Sequence, residues 1–203
     1  FFFFPEILIL IATDTPFRPP SSNFRGVQQQ IVDKHNDLRR GVTPPASNML
    51  KMEWNTIAAE NAKNWAKQCT LSHSPRMKRV VKGIVCGENL FMSTVATPWP
   101  AVIQSWYNEE KYFKHGVGPV PQDAETGHYT QIVWYKSYQV GCYGTYCPSA
   151  GFSYYYVCHY CPGCSCTPGL NGQLCLSAVP WFHSQPCSGS CLSRPQPDNR
   201  TFK

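Results

Sequence analysis

Apolar positions recur every three to four residues in three stretches of the first half of the chain, which predicts amphipathic helices there. In the first, Val27 to Arg40, Val27, Ile31 and Leu38 share a face and His35 sits four residues after Ile31. Gly41 stops this helix and Pro44-Pro45 prevents its return. In the second, Asn55 to Cys69, either Asn55 or Thr56 can cap the start, and Ile57, Ala58, Asn61, Ala62, Trp65, Ala66 and Cys69 follow at helical spacing. The small alanines on that face predict close packing against a sheet or another helix. The third opens at Pro100, where proline is tolerated in a first turn, and Val102, Ile103, Trp106, Tyr107 and Phe113 supply its apolar side.

The pattern then changes to β-branched and aromatic residues. His128 to Tyr135 reads as a strand, with Tyr129, Gln131, Val133 and Tyr135 on one face and Thr130, Ile132 and Trp134 on the other. Gln139 to Tyr146 and Phe152 to Tyr160 read as two more, separated by Cys147-Pro148-Ser149-Ala150-Gly151. Helices first and strands later, without regular alternation, predict an α+β layer fold. After Gly163 the periodicity ends and Pro and Gly become frequent. The chain therefore divides into a leader (1–23), one domain (24–162) and a Pro/Gly/Cys-rich tail (163–203), irregular and expected to be poorly ordered or extended.

A chain of 203 residues can build a real core, so disulfides would reinforce the fold rather than replace it. Its eleven cysteines, with no paired Cys-x-x-Cys spacing, fit an oxidising, secreted setting better than a reducing cytosol. Phe1 to Ala12, FFFFPEILILIA, is too short to span a bilayer. It is similar to the apolar part of a secretory signal peptide, although it has no initiator Met or basic start and Glu6 interrupts it. No later segment is apolar enough to be transmembrane. One glycosylation sequon, Asn199-Arg200-Thr201, lies near the C-terminus. The formal charge of +6 is partly concentrated at Arg76, Lys78, Arg79 and Lys82. Such a cluster suits a sulfated glycan, an anionic membrane surface or simply a solvated loop. No motif ties it to nucleic acid.

Three runs carry the most information: Cys86-Gly87-Glu88-Asn89-Leu90, Gly127-His128-Tyr129-Thr130-Gln131-Ile132-Val133-Trp134, and Tyr156-Val157-Cys158-His159-Tyr160-Cys161-Pro162. In this order they resemble the CAP superfamily, and within it the cysteine-rich secretory proteins of vertebrates, over about residues 27 to 162. The resemblance implies a three-layer α-β-α sandwich. It also implies the pairs Cys69–Cys147, Cys86–Cys161 and Cys142–Cys158, where sequence alone permits fifteen connectivities of six cysteines. The other five cysteines, Cys164, Cys166, Cys175, Cys187 and Cys191, are odd in number, which leaves one free or available for a disulfide-linked dimer. In the family a hinge and a compact cysteine-rich module follow the core. Gln185 to Cys191 resembles the start of that hinge only faintly, so the ion-channel regulation linked to the module is not expected.

The resemblance further implies that His73, Glu88, Glu109 and His128 converge in one cleft. Neutral imidazoles are good zinc ligands, and carboxylates can orient them through the second ring nitrogen. A weak divalent-metal site, with zinc on His73 and His128, is one reading that the resemblance implies; a polar network that holds the layers together without metal is the other. Ser72 and Ser74 flank His73, but neither a Gly-x-Ser-x-Gly elbow nor a His-Glu-x-x-His helix supports hydrolysis. The aromatic residues Trp99, Trp106, Trp134 and Tyr154-Tyr155-Tyr156 suit either an exposed lipid or sterol groove or the core. The reading that follows is a secreted, non-enzymatic binding protein. The resemblance implies reproductive-tract or other exocrine secretion, partners among cell-surface or secreted proteins, sperm association and gamete interaction at fertilization. A lipid carrier and a weak metal-dependent hydrolase are the alternatives.

Overall fold

The computed structural model describes residues 25–163 and Phe202. The expected leader, the sequon and the cysteines after Gly163 lie outside the described residues, and so does the expected tail apart from Gly163 and Phe202. That ring lies beneath Arg40 at 4.9 Å and Lys51 at 5.7 Å, at the end of the first helix.

Among the described residues the helices are α1 (Arg25–Arg40), α2 (Thr56–Ala66), α3 (Trp99–Tyr107) and α4 (Gly127–Ile132). The main sheet has the order β1-β7-β8-β4, from β1 (Glu53–Trp54), β7 (Gln139–Tyr146), β8 (Tyr154–Cys161) and β4 (Gly87–Ser93). Its β1–β7 pair is parallel and the other two pairs are antiparallel. Two small hairpins lie outside it: β2 (Val80–Val81) with β3 (Ile84–Val85), and β5 (Phe113–Lys114) with β6 (Gly118–Pro119).

Strand β8 explains the layering. Side chains alternate across a strand, so a strand covered on both faces is apolar throughout. All eight β8 residues are buried. Tyr154, Tyr156, Cys158 and Tyr160 join the core formed with Ile31, Trp99, Val102, Ile103, Trp106 and Ile132, from α1, α3 and α4. Tyr155 and Val157 join Ala62, Ala66 and Leu90 on the α2 side. The fold is α+β, with the sheet between two helical layers.

Local chemistry accounts for the helices. Asn55 caps α2 by accepting a hydrogen bond from the Ala58 amide at 2.8 Å. Ala58, Ala62 and Ala66 are buried and let the helix lie close to the sheet. At the closest point a Cβ on Gly141 of β7 would collide with the backbone of Asn55 and Ala59, so only glycine fits without displacing α2. The helix ends at Ala66, before the expected Cys69, because Cys69 and Leu71 take positive φ values of 51° and 52° and turn the chain away. Pro100 sits in the first turn of α3 as expected. Phe113 belongs instead to β5, since the helix gives way to a 3-10 segment, Asn108–Tyr112.

The largest departure is at residues 127–132, where the expected strand is the helix α4. The Glu109 carboxylate reaches the start of this segment and accepts the His128 and Tyr129 amides at 2.9 and 3.1 Å. Tyr129 and Ile132 then pack into the core while the amides at the helix start are satisfied. Residues 133–135 leave the helix without joining a strand.

Among the described residues three disulfides join Cys69 to Cys147, Cys86 to Cys161 and Cys142 to Cys158, the pairs that the resemblance implies. The first two close separations of 78 and 75 residues and tie the α2 exit and the β4 entry to the β7–β8 pair. In the chain-entropy view each long loop contributes about 4 kcal/mol. The third joins directly opposed residues of β7 and β8.

Buried polar groups link the layers. Arg39 is 1 % exposed, and its guanidinium donates to the carbonyls of Leu50, Ile132, Trp134 and Ser137 at 2.6–3.2 Å. Burial lowers its pKa to about 9. His35 is fully buried, with Nδ1 at 2.8 Å from the Ile31 carbonyl and Nε2 at 2.9 Å from the Tyr160 hydroxyl. Burial holds its pKa down at about 4, so the ring is neutral and the Tyr160 hydroxyl donates to Nε2.

Candidate functional site

Strand β4 organises the candidate residues. Glu88 is on one face of it, and its side chain is 1 % exposed. Both carboxylate oxygens are fully engaged. Oε1 accepts from His73 Nδ1 at 2.8 Å, from the Ser74 amide at 2.8 Å and from Arg79 at 2.9 Å. Oε2 accepts from the Ser74 hydroxyl at 2.7 Å and from His159 Nε2 at 2.8 Å. Burial alone would raise the Glu88 pKa, but the bonds from His159, His73 and Ser74 outweigh it and hold the carboxyl well below its usual range. Glu88 is therefore ionised across the physiological range.

The second pair is built at the α3–α4 junction. Glu109, in the 3-10 segment after α3, accepts His128 Nδ1 on Oε1 at 2.6 Å. Its Oε2 takes the two α4 amides already described. The His128 ring stacks on Trp106, with centroids 6.2 Å apart and planes 13° from parallel. Trp106 Nε1 in turn donates to the Leu90 carbonyl of β4 at 2.9 Å. Asn89, between Glu88 and Leu90, donates to the His128 carbonyl at 3.1 Å and to the Tyr160 hydroxyl at 3.4 Å. Three consecutive β4 residues thus hold or reach both His–Glu pairs.

Each imidazole is clamped through Nδ1, which leaves Nε2 as the nitrogen for a ligand. Side-chain exposure is 39 % at His73 and 32 % at His128, against 17 % at Glu109. Among the described residues no group of three or more His, Cys, Asp or Glu side chains could hold a metal ion. The arrangement offers two imidazole nitrogens oriented by carboxylates and no closed four-ligand cage.

The aromatic residues considered for a lipid groove are core. Trp99, Tyr155 and Tyr156 are fully buried and Trp106, Trp134 and Tyr154 nearly so. Ser74, considered as a nucleophile, is 4 % exposed and spends its proton on Glu88. Sequence reasoning missed His159, Arg79 and Ser74 as partners of Glu88. The signal for His159 was the pairing of Glu88 with it across β4 and β8, which requires recognising β4 as a strand.

The model of the cysteine-rich secretory protein family (CAP) matches residues 32–160. The chain belongs to that family. The crystal structure of NaASP2 with Zn2+ superposes with a TM-score of 0.58 at 29% identity, covering 69% of this chain and 81% of that one. Venom allergen-like protein 4 of Schistosoma mansoni gives a TM-score of 0.58 at 26% identity, over 70% of this chain and 92% of that one. BmVAL-1 gives 0.57 at 25% identity, over 71% and 80%. This CAP chain is thus similar to proteins of the venom allergen-like type over its described domain, and its three disulfides fit an extracellular protein. Among the described residues no helix is long and apolar enough to cross a membrane.

Proposed function

We propose that this CAP protein is a secreted, non-enzymatic binding protein whose His73 and His128 form a weak divalent-metal site. The observation that carries the reading is the pair of Nδ1–carboxylate clamps at 2.8 and 2.6 Å, which fix the tautomer and direction of both rings. The donor set fits zinc held by two Nε2 atoms with water completing the shell, and the similar NaASP2 has a structure with Zn2+. A metal held by His73 and His128 would supply a Lewis-acidic coordination centre.

Saturation of the carboxylates supports binding over hydrolysis. A general base needs a free oxygen and a pKa near the working pH. Glu88 receives five hydrogen bonds and its pKa is lowered. Both Glu109 oxygens hold the α4 start and His128. Recognition of cell-surface or secreted proteins is the coarser role; sperm association and gamete interaction are its narrower form, resting on the motif resemblance to vertebrate cysteine-rich secretory proteins. Calorimetric zinc titration of the wild type and of the His73→Ala, His128→Ala double variant tests the site. The wild type should bind near neutral pH and weaken in acid as protons compete for the imidazoles. Equal heats from the two proteins would refute it.

A further inference from the structure

The segment between α2 and β4 shows a second surface that the His–Glu site does not use. Residues 76–78 form a 3-10 turn that leads directly into the β2–β3 hairpin. A hydrogen bond from the Cys86 amide to the Arg79 carbonyl at 2.8 Å closes the hairpin at its base. At its tip Lys82 and Gly83 take positive φ values of 48° and 81°. Cys86 is tied to Cys161, Asn61 of α2 donates to the Val80 carbonyl at 3.0 Å, and Arg79 is anchored on Glu88. The prong is therefore fixed to the domain from three sides.

Its outer residues combine two chemistries. Arg76, Lys78 and Lys82 are exposed, and none forms an ion pair among the described residues. From Asn61 to Gly87 the sequence has no Asp or Glu, and the nearby Glu88 is buried with its charge met by Arg79. Between these cations Met77 is 80 % exposed, and Ile84 beside the tip is 42 % exposed.

We propose that residues 76–84 form a docking prong for anionic phospholipid bilayers, with the cations on the headgroups and Met77 and Ile84 in the interface. The positive charge complements an anionic leaflet. The apolar side chains favour a bilayer over a sulfated glycan, because only the bilayer offers an apolar interior to receive them. This inference is independent of metal binding at His73 and His128.

Flotation of the full chain with vesicles tests it. Phosphatidylcholine vesicles with ~30% phosphatidylserine should bind the protein at ~0.1 M salt, and pure phosphatidylcholine vesicles should bind it far more weakly. Each basic residue at an anionic surface contributes about fivefold in affinity, so Arg76→Ser, Lys78→Ser and Lys82→Ser together should cost about a hundredfold. Met77→Ser with Ile84→Ser should cost roughly tenfold while leaving the charge intact. These are exposed sites, and unchanged circular dichroism would show that the variants fold. Failure to bind anionic vesicles overturns the proposal, as does equal binding to both vesicle types. Wild-type affinity in the Met77, Ile84 variant, matched by unchanged retention on heparin, would assign the patch to sulfated polyanions and overturn the bilayer reading.

Discussion

Replacing Glu88 by Gln tests whether the most buried carboxylate of the site also holds the fold together. The amide carbonyl can take the place of Oε1 and accept from His73, the Ser74 amide and Arg79. Its NH2 then meets the Ser74 hydroxyl and His159 Nε2, which both donate to Oε2 in the wild type. Ser74 can rotate to accept. His159 can accept only by moving its proton to Nδ1, which is buried and has no hydrogen-bond partner. An unsatisfied buried donor costs about 1–3 kcal/mol, and Arg79 loses its counter-charge as well, so the total loss should be about 3–5 kcal/mol. For a domain of this size that lowers Tm by about 10 °C. The sign with pH follows from the lowered pKa. Glu88 contributes stability that is fully present above its ordinary value of 4.5 and is lost as pH falls below it. The gap between wild type and variant, measured by denaturant unfolding with disulfides intact, should therefore be full at neutral pH and shrink in acid. A variant within about 1 kcal/mol of wild type at neutral pH would refute the reasoning, since that is no more than a single ordinary hydrogen bond contributes.

Three further perturbations probe the frame that positions the site. His35, with a pKa of about 4 against an ordinary 6.5, favours the folded state above 6.5 and loses about 3 kcal/mol of that stability as pH falls to 4; an NMR titration midpoint near 6.5 would contradict its burial. Arg39→Lys keeps the charge but cannot serve four carbonyls at once, so it should cost about 2–4 kcal/mol in chemical denaturation, and no loss would mean that water replaces the guanidinium. Gly141→Ala should push α2 off β7 and lower Tm by several degrees, whereas an unchanged Tm would show that the α2 start can shift freely.

The sequence made legible whatever local spacing determines. The alanine face of α2, the Asn55 cap, Pro100 in the first turn of α3 and the two long strands were all readable, because each depends on residues within a few positions. The run from His128 to Tyr135 was misread because its β-branched and aromatic residues favour a strand, while a carboxylate 19 positions upstream satisfies the first amides of a helix. Strand β4 escaped notice because Gly87-Glu88-Asn89 has no apolar alternation; its polar side chains are buried only because His159, Tyr160 and the loop at residues 73–79 reach them. The buried cation Arg39 was invisible for the same reason. Its acceptors are backbone carbonyls 11 to 98 positions away, and carbonyls carry no residue code.

The same long-range bonds decide what the site can do. A carboxylate in a motif suggests a base or a metal ligand, but Glu88 and Glu109 give their oxygens to the framework. Glu88 holds the loop at 73–79 and strand β8; Glu109 holds the start of α4. What remains outside the framework is Nε2 of each imidazole, the nitrogen that the carboxylate clamps leave open. Arg79 extends the logic outward, since its contact with Glu88 also fixes the base of the cationic hairpin. Loss of Glu88 would therefore disturb His73 and the base of the hairpin together, while Glu109 variants would reach His128 and α4 and leave the hairpin in place. That asymmetry marks Glu88 as a structural hub shared by the His73 clamp and the hairpin, and Glu109 as a local one.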